Sequence, residues 1–244
     1  MTAPTPSGSD LDTIVSRTRH LLLDFDGPIC SIYGGLPAAT VADRLRKLLG
    51  NHAPLPDEIA RTADPLEVFA YAATVSEDLA ARVETEMTDQ ELAAVATATP
   101  APYVHEVVTA CHNSGRSVAV VSNNSAAAVH SYLDRHGLDD RISLVVARTD
   151  YDPALLKPSP HLIIRAVHAL NADLGECTLV GDSVTDVQAA HLADIQSIGY
   201  ANKPGKRERF IAAHAGTVIN SLADLALALR GHVVNPMSPR ELPN

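Results

Sequence analysis

An α/β fold built on a doubly wound parallel sheet, with an all-helical cap inserted near its start, is what this sequence predicts, and three observations carry the prediction. Apolar runs bounded by turn residues alternate with stretches of helical periodicity through most of the chain. A segment of about seventy residues after the first run keeps helical spacing and offers no strand. Acidic, glycine-containing turns close two of the apolar runs, and the carboxyl ends of strands are where open α/β sheets place their ligands.

Taken in order, Met1 to Asp10 is rich in Thr, Pro, Ser and Gly and lacks an apolar core, so residues 1–18 are expected to form a disordered tail and not a signal peptide. The first strand is the run His20-Leu21-Leu22-Leu23, which ends in Asp24-Phe25-Asp26-Gly27-Pro28. Residues 19–30 and 100–232 are assigned to the sheet domain, with further strands over 117–122, 143–147, 177–181 and 196–199. Val104, Val107, Val108 and Cys111 follow the i, i+3, i+4, i+7 spacing of a helix that Gly115 can stop, and Ser159-Pro160 starts another running to about Leu170.

Residues 31–99 are assigned to the cap. Val41, Leu45, Leu48 and Leu49 mark one helix ending at Gly50; Asp64-Pro65-Leu66-Glu67 combines an N-cap, a first-turn proline and a capping-box acid. Further helices start at Ser76 and at Thr88, the latter with Glu91 as capping-box partner. Seventy residues exceed one crossover, so the insertion is read as a lid on the ligand side of the sheet, hinged through Ser31-Ile32-Tyr33-Gly34-Gly35-Leu36. Residues 233–244 are expected to be a C-terminal tail.

Of the 244 residues 46% are hydrophobic and 20% charged, which suits a soluble chain with a substantial core. The formal net charge of −10 argues against nucleic acid or an anionic membrane as principal partner. No stretch approaches the ~18 apolar residues of a membrane span. Cys30, Cys111 and Cys177 show no paired spacing, which suits a reducing cytoplasm, and the eleven histidines show no metal-ligand spacing. The oligomeric state is left open.

Asp24 and Asp26 fall on the same side of an extended chain, and two like charges so close require a cation, a shared proton or a structural reason. Taken alone the pair also fits a strand end with a turn-forming Asp-Gly. Ser122-Asn123-Asn124 delivers a hydroxyl and two amides where a strand meets a helix, which suits either an anion cradle or a plain helix cap. Lys157, between Leu156 and Pro158, sits at a helix start, where its charge opposes the macrodipole and so calls for another reason. Gly181-Asp182-Ser183-Val184-Thr185-Asp186 again turns a strand end through glycine into two acids, with Asp182 as candidate cap and Asp186 one turn on. Four carboxylates without a His or Cys cluster select a hard cation, and Mg²⁺ is the usual one at phosphate sites.

This constellation resembles the haloacid dehalogenase superfamily over about residues 21–200. Its four ordered motifs are matched by Asp24-Phe25-Asp26-Gly27-Pro28, Ser122, Lys157 and Gly181-Asp182-Ser183-Val184-Thr185-Asp186; Pro28 departs from the usual Thr or Val. The resemblance implies a phosphatase-type hydrolase acting on a small phosphorylated metabolite. Asp24 would be the nucleophile forming an aspartyl-phosphate and Asp26 the general acid and base. Ser122 and Lys157 would hold phosphoryl oxygens. Asn123 is a further candidate substrate contact, and so is Arg61, singled out among the cap's cations by its charge and its place between helices, the others being read as solvated helix faces. Mg²⁺ would be bound by Asp24, Asp26 through its main-chain carbonyl, and Asp182, with Asp186 supporting it. Asp26 speaks against a dehalogenase and a phosphonate hydrolase, and the lack of spans against a membrane ATPase. A sugar phosphomutase and a non-catalytic phospho-ligand-binding member are the alternatives. Response-regulator receivers differ in length and in the strand carrying the phosphorylated Asp. The loop Asn202-Lys203-Pro204-Gly205-Lys206 is read as a plain surface loop, although the mouth of the site is within its reach.

Overall fold

In a computed structural model that describes residues 9–50 and 55–234, the chain opens with helix α1 (Ser9–Arg17) and enters the sheet as β1 (His20–Leu23). It then makes a two-residue strand β2 (Cys30–Ser31) and four helices, α2 (Ala38–Gly50), α3 (Asp57–Arg61), α4 (Pro65–Val75) and α5 (Glu77–Val95). It returns through β3 (Thr99–Pro100), which pairs antiparallel with β2 and so ties together the two ends of the helical segment. The sheet domain resumes with α6 (Val104–Asn113), β4 (Ser117–Ser125), α7 (Ala126–Arg135), β5 (Leu144–Arg148) and α8 (His161–Ala169). It is completed by β6 (Cys177–Gly181), α9 (Val184–Leu192), β7 (Gln196–Tyr200), α10 (Lys206–Ala212), β8 (Thr217–Ile219) and α11 (Leu222–Gly231).

The main sheet is parallel with strand order β5-β4-β1-β6-β7-β8. The chain winds outward from β1 through β4 to β5, then crosses back to β6 on the other side of β1. The order therefore reverses between β1 and β6, and the carboxyl ends of these two strands flank the crevice where such sheets bind ligands. Both faces are covered, as the doubly apolar strands require. Leu21, Val118 and Val120 pack with Val107, Cys111, Tyr132 and Leu225 on one face. Leu22, Ala119, Val121 and Leu179 pack on the other with Leu162, Ile163 and Ala190, and this cluster runs on into the apolar residues Val41, Leu45, Phe69 and Met87 of the inserted helices.

The inserted helices are also joined to the sheet by a buried ionic hub. Arg148, at the end of β5, donates to Glu91 Oε1 at 3.2 Å and Oε2 at 3.0 Å, to Glu84 at 3.1 Å and to Thr88 Oγ1 at 3.2 Å, all on α5. It also donates to the Asn123 carbonyl at 2.6 Å, and its guanidinium lies 6.0 Å from the Phe69 ring centroid. Glu91 completes its bonding by accepting from Asn124 Nδ2 at 3.0 Å and from the Ser125 amide at 2.8 Å, at the start of α7. Both charged side chains are 1% exposed, so this pair is fully desolvated and depends on all of these bonds.

Several expectations need correction. The tail expected over 1–18 is instead helical from Ser9, because Leu11, Ile14 and Val15 form an i, i+3, i+4 stripe that packs on the core; residues 1–8 lie outside the described residues. Buried Arg116 fixes this helix by donating to the carbonyls of Val15 at 3.0 Å and Thr18 at 2.9 Å. No helix starts at Thr88: α5 runs unbroken, because the Thr88 hydroxyl donates to Glu84 one turn back at 2.8 Å and leaves the backbone ladder alone. Glu91 accordingly caps nothing in α5. Ser76 does cap α5, accepting from the Leu79 amide, and Asp64 caps α4, accepting from the Leu66 amide; Glu67 instead accepts from the Thr62 hydroxyl. Lys157 does not open α8, which begins at His161. β8 was not expected, being three residues between Gly216 and Asn220. Of the tail expected over 233–244, Val234 donates to the Ser114 carbonyl at 3.0 Å, and residues 235–244 lie outside the described residues.

Two substitutions test this account of the packing. Arg116→Met removes the donors held against the end of α1 and should lower unfolding stability by about 2–4 kcal/mol, read from urea denaturation. Arg148→Met leaves Glu91 buried without its counter-charge and should cost about 3–5 kcal/mol, of which adding Glu91→Gln restores a measurable part.

Candidate active site

The site forms where β1, β4 and β6 end. Beyond Leu23 the chain leaves the sheet, but the Asp24 amide still donates to the Val180 carbonyl at 2.9 Å, which holds Asp24 at the junction of β1 and β6. Its Oδ1 accepts from the Phe25 amide at 2.8 Å and from Lys157 Nζ at 2.8 Å. The following turn is closed by the Gly27 amide donating to Cys30, and by the Ile29 and Cys30 amides donating to Phe25. Position 28 donates none of these bonds, so Pro28 is accommodated without the amide hydrogen it lacks. Gly27 has φ +109°, and a Cβ there would lie 2.3 Å from Asp182 Cγ. Only glycine serves, for both reasons.

Asp26 also faces the cavity, with Oδ1 accepting from the Ile32 amide at 3.1 Å. Burial, aided by the charge of Asp182, pushes its carboxyl up to about 6. Burial and the neighbouring Asp186 likewise raise the Asp24 carboxyl, against the opposing charge of Lys157.

Lys157 arrives from the segment between β5 and α8. Its ammonium donates to Asp24 Oδ1, to Asp186 Oδ1 at 2.6 Å and to the Val121 carbonyl at 3.0 Å. Burial disfavours the charged ammonium, yet the charges of Asp186 and Asp24 outweigh it and hold this lysine well above its ordinary value. Two buried carboxylates are the other reason that a lysine at this position called for, and the helix begins only at His161. Asn123 holds the lysine's backbone on both sides, its Nδ2 donating to the Lys157 carbonyl at 3.0 Å and its Oδ1 accepting from the Lys157 amide at 2.8 Å.

At the end of β6 the helix cap is Ser183 and not Asp182, since Ser183 and Asp186 form a reciprocal capping box. Asp186 Oδ2 accepts from the Ser183 amide at 3.0 Å and hydroxyl at 2.7 Å, while Oδ1 takes Lys157. One residue thus starts α9 and anchors the ammonium. Gly181 leaves room for it: a Cβ there would be 2.3 Å from Asp186. Asp182 Oδ2 accepts from Lys206 Nζ at 2.5 Å and from Asn202 Nδ2 at 3.0 Å.

Asp24, Asp182 and Asp186 each present an oxygen such that all three lie within 4.8 Å of one another. The Asp26 carboxylate is not in this group, and only its main-chain carbonyl was expected as a ligand. A cavity of about 540 Å³ opens over the cluster, lined from below by Asp24, Asp26, Asn123, Lys157, Asp182 and Asp186, and from the inserted helices by Tyr33, Thr62, Asp64, Leu66 and Glu91 among others.

Two expected contacts are not brought to this cavity. Ser122 is fully buried, accepting from the Asn124 amide at 3.1 Å and donating to Asn124 Oδ1 at 3.2 Å, so its hydroxyl shapes the loop. Arg61 is four-fifths exposed and paired with Asp57 one turn away on α3, because both sit on the solvent side of that short helix. Conversely, Lys206 and Asn202 belong to the site although their loop was read as plain surface. They follow β7, the neighbour of β6, at the same sheet edge, and that position was the available signal.

A family model described as haloacid dehalogenase-like hydrolase matches residues 22–200, well over half of the chain. Among curated proteins, a bifunctional riboflavin kinase/FMN phosphatase of Arabidopsis thaliana is 32% identical over 48% of this chain and 30% of its own length. A phosphoglycolate phosphatase of Pectobacterium atrosepticum is 30% identical over 53% of this chain and 54% of its own, and the pyrophosphatase PpaX of Halalkalibacterium halodurans 31% over 41% and 47%. The chain thus spans about half or less of the length of these relatives. In fold it is similar to CbbY from Rhodobacter sphaeroides in complex with phosphate (TM-score 0.65, 18% identity, 85% of this chain and 96% of that one). It is similar also to a predicted phosphatase from Clostridium acetobutylicum (TM-score 0.66, 16% identity, 86% and 97%). With its acidic strand ends, its buried lysine and a family match across the whole sheet up to β7, the chain belongs to the haloacid dehalogenase-like hydrolases.

Proposed function

We propose that this chain is a magnesium-dependent phosphomonoesterase that passes the phosphoryl group of a small metabolite first to Asp24 and then to water. The observation that carries this reading is the convergence of Asp24, Asp26 and Lys157 with Asp182 and Asp186 in one cavity at the β1/β6 crevice. The names of the phosphatase and pyrophosphatase relatives support the same chemistry.

In the first half-reaction an Asp24 carboxylate oxygen bonds to phosphorus as the bond from phosphorus to the leaving oxygen breaks. That oxygen takes the electron pair and the proton of the Asp26 carboxyl. In the second, Asp26 as carboxylate accepts a proton from water, whose oxygen bonds to phosphorus while the Asp24–phosphorus link breaks. Phosphate leaves, and both aspartates return to their starting forms. Lys157 and the Phe25 amide hold Oδ1 of Asp24, so the carboxylate cannot swing away from attack.

The residues fit a hard divalent cation: an all-oxygen donor set lies within 4.8 Å, and Gly27 leaves the space for Asp182 to approach. Asp24, Asp182 and Asp186 would hold Mg²⁺, with the Asp26 main-chain carbonyl. When bound, the ion supplies charge neutralisation that lets an anionic phosphoryl group approach carboxylates. Asn123 acts by fixing Lys157. The helices between β2 and β3 serve as the lid, closing the cavity against water. All three cysteines are free and buried, which supports a reducing, cytoplasmic setting, and no helix among the described residues is long and apolar enough to cross a membrane.

Release of phosphate from p-nitrophenyl phosphate with Mg²⁺ tests the reading; a folded protein with no such activity across a broad set of phosphate esters overturns it. Asp24→Asn should abolish turnover while leaving the fold intact by circular dichroism. Asp26→Asn should lower kcat by about 10²–10⁴-fold with natural alkyl esters, less with an aryl leaving group that needs no proton. Gly27→Ala should reduce kcat more than about tenfold, because the strained φ and the contact with Asp182 both displace the ligand cluster.

A further inference from the structure

The upper wall of the cavity, contributed by the inserted helices and their leading turn, has a charge pattern that the phosphoryl chemistry below does not require. It presents Asp64, Glu91, Tyr33, Thr62 and an apolar face including Leu66. Among the described residues, no basic side chain of the inserted helices lines the cavity. Arg44 is bonded to Gln90, Arg46 to Asp43 and the Thr62 carbonyl, and Arg61 to Asp57. Arg148, which bonds Glu91 from the sheet behind this wall, is matched by both Glu84 and Glu91. Below, Lys157 is committed to Asp24 and Asp186, and Lys206 to Asp182.

Asp64, exposed at the mouth of the cavity, is thus the acid on this wall that no basic side chain pairs with among the described residues. One of its oxygens accepts from the Leu66 amide at 2.8 Å to cap α4, which fixes the carboxylate at the edge of the cavity. A second anionic group on a substrate placed against this wall would lie beside this carboxylate, and among the described residues no basic side chain of the inserted helices lines the cavity to receive it. An uncharged alcohol meets Tyr33, Thr62 and apolar surface without a repelling charge of its own, and a protonated amine is attracted to Asp64.

Resting on the phosphomonoesterase reading, we infer that the leaving group is an uncharged or amine-bearing alcohol, with Asp64 discriminating against carboxylate- and phosphate-bearing ones. The substrate class therefore differs from what the names of the phosphoglycolate phosphatase and pyrophosphatase relatives would suggest.

The experiment compares kcat/KM of the full chain with Mg²⁺ for phosphoethanolamine, glycerol 3-phosphate, 2-phosphoglycolate and pyrophosphate, with p-nitrophenyl phosphate as the measure of chemistry itself. The first two should exceed the next two by about tenfold or more. Asp64→Asn, which keeps a good helix cap, should reduce the phosphoethanolamine to 2-phosphoglycolate ratio several-fold. Aryl phosphate hydrolysis with 2-phosphoglycolate or pyrophosphate equal or superior overturns the inference and leaves the phosphatase reading standing. A ratio that Asp64→Asn does not move overturns the role given to that carboxylate. Failure of the folded protein to hydrolyse any of a broad set of phosphate esters that includes these five compounds overturns the phosphatase reading and the inference with it.

Discussion

Three carboxylates drawn to one point at the junction of two strands repel one another, and the buried ammonium of Lys157 is what makes that arrangement tenable in this fold. Its bonds to Asp24, Asp186 and the Val121 carbonyl join the end of β1, strand β4 and the first turn of α9. At an effective dielectric constant of about 20, an ion pair at such separations gains several kcal/mol, which is of the order needed to offset taking the charges out of water. The lysine is therefore structural and electrostatic at once. Remove it, and Asp24 and Asp186 are left close together without the counter-charge they share, and the site loses its form.

The ammonium is in turn held by contacts that lead away from the site. Asn123 grips the lysine's amide and carbonyl; the Asn123 carbonyl is gripped by Arg148; and Arg148 is bonded to three residues of α5. The inserted helices and the catalytic floor are thus linked by consecutive hydrogen bonds as well as by continuous apolar packing. α5 is the firmly docked part of the insertion, whereas α3 bears exposed charged side chains and no buried residue. A motion that opens the cavity is easier on the α3 side, where fewer buried groups must be exposed.

Much of the floor was legible in the sequence because it is written in local chemistry. A strand that ends in Asp-x-Asp-Gly, or in Gly-Asp-Ser-x-x-Asp, carries its turn, its helix start and its acids in a single short run, and the sheet topology brings such runs together. Glu91 shows the limit of that reading. Three residues after Thr88 it resembles a capping-box acid, but its partners are Arg148, Asn124 and Ser125, far along the chain. Lys206 was passed over for the same reason, since its partner Asp182 lies 24 positions away. Arg61 was chosen for its charge and its place between helices, and a short helix turned it to solvent beside Asp57. α1 was hidden by its polar neighbours, although Leu11, Ile14 and Val15 carry a helical stripe.

The same division separates the two walls of the cavity by what they can encode. On the proposed reading, the floor is fixed by short motifs because the steps of phosphoryl transfer are alike for every ester: a nucleophile, a proton carrier and a place for charge. The upper wall has no such constraint, and its residues come from a turn after β2, the start of α4 and the middle of α5, elements whose partners are set only by packing. Differences between substrates can therefore be written there without disturbing the chemistry. The uncompensated carboxylate of Asp64, supplied by a residue whose first duty is to start a helix, is such a difference, and a change of one cap residue for another would alter which leaving group is admitted while α4 keeps its start.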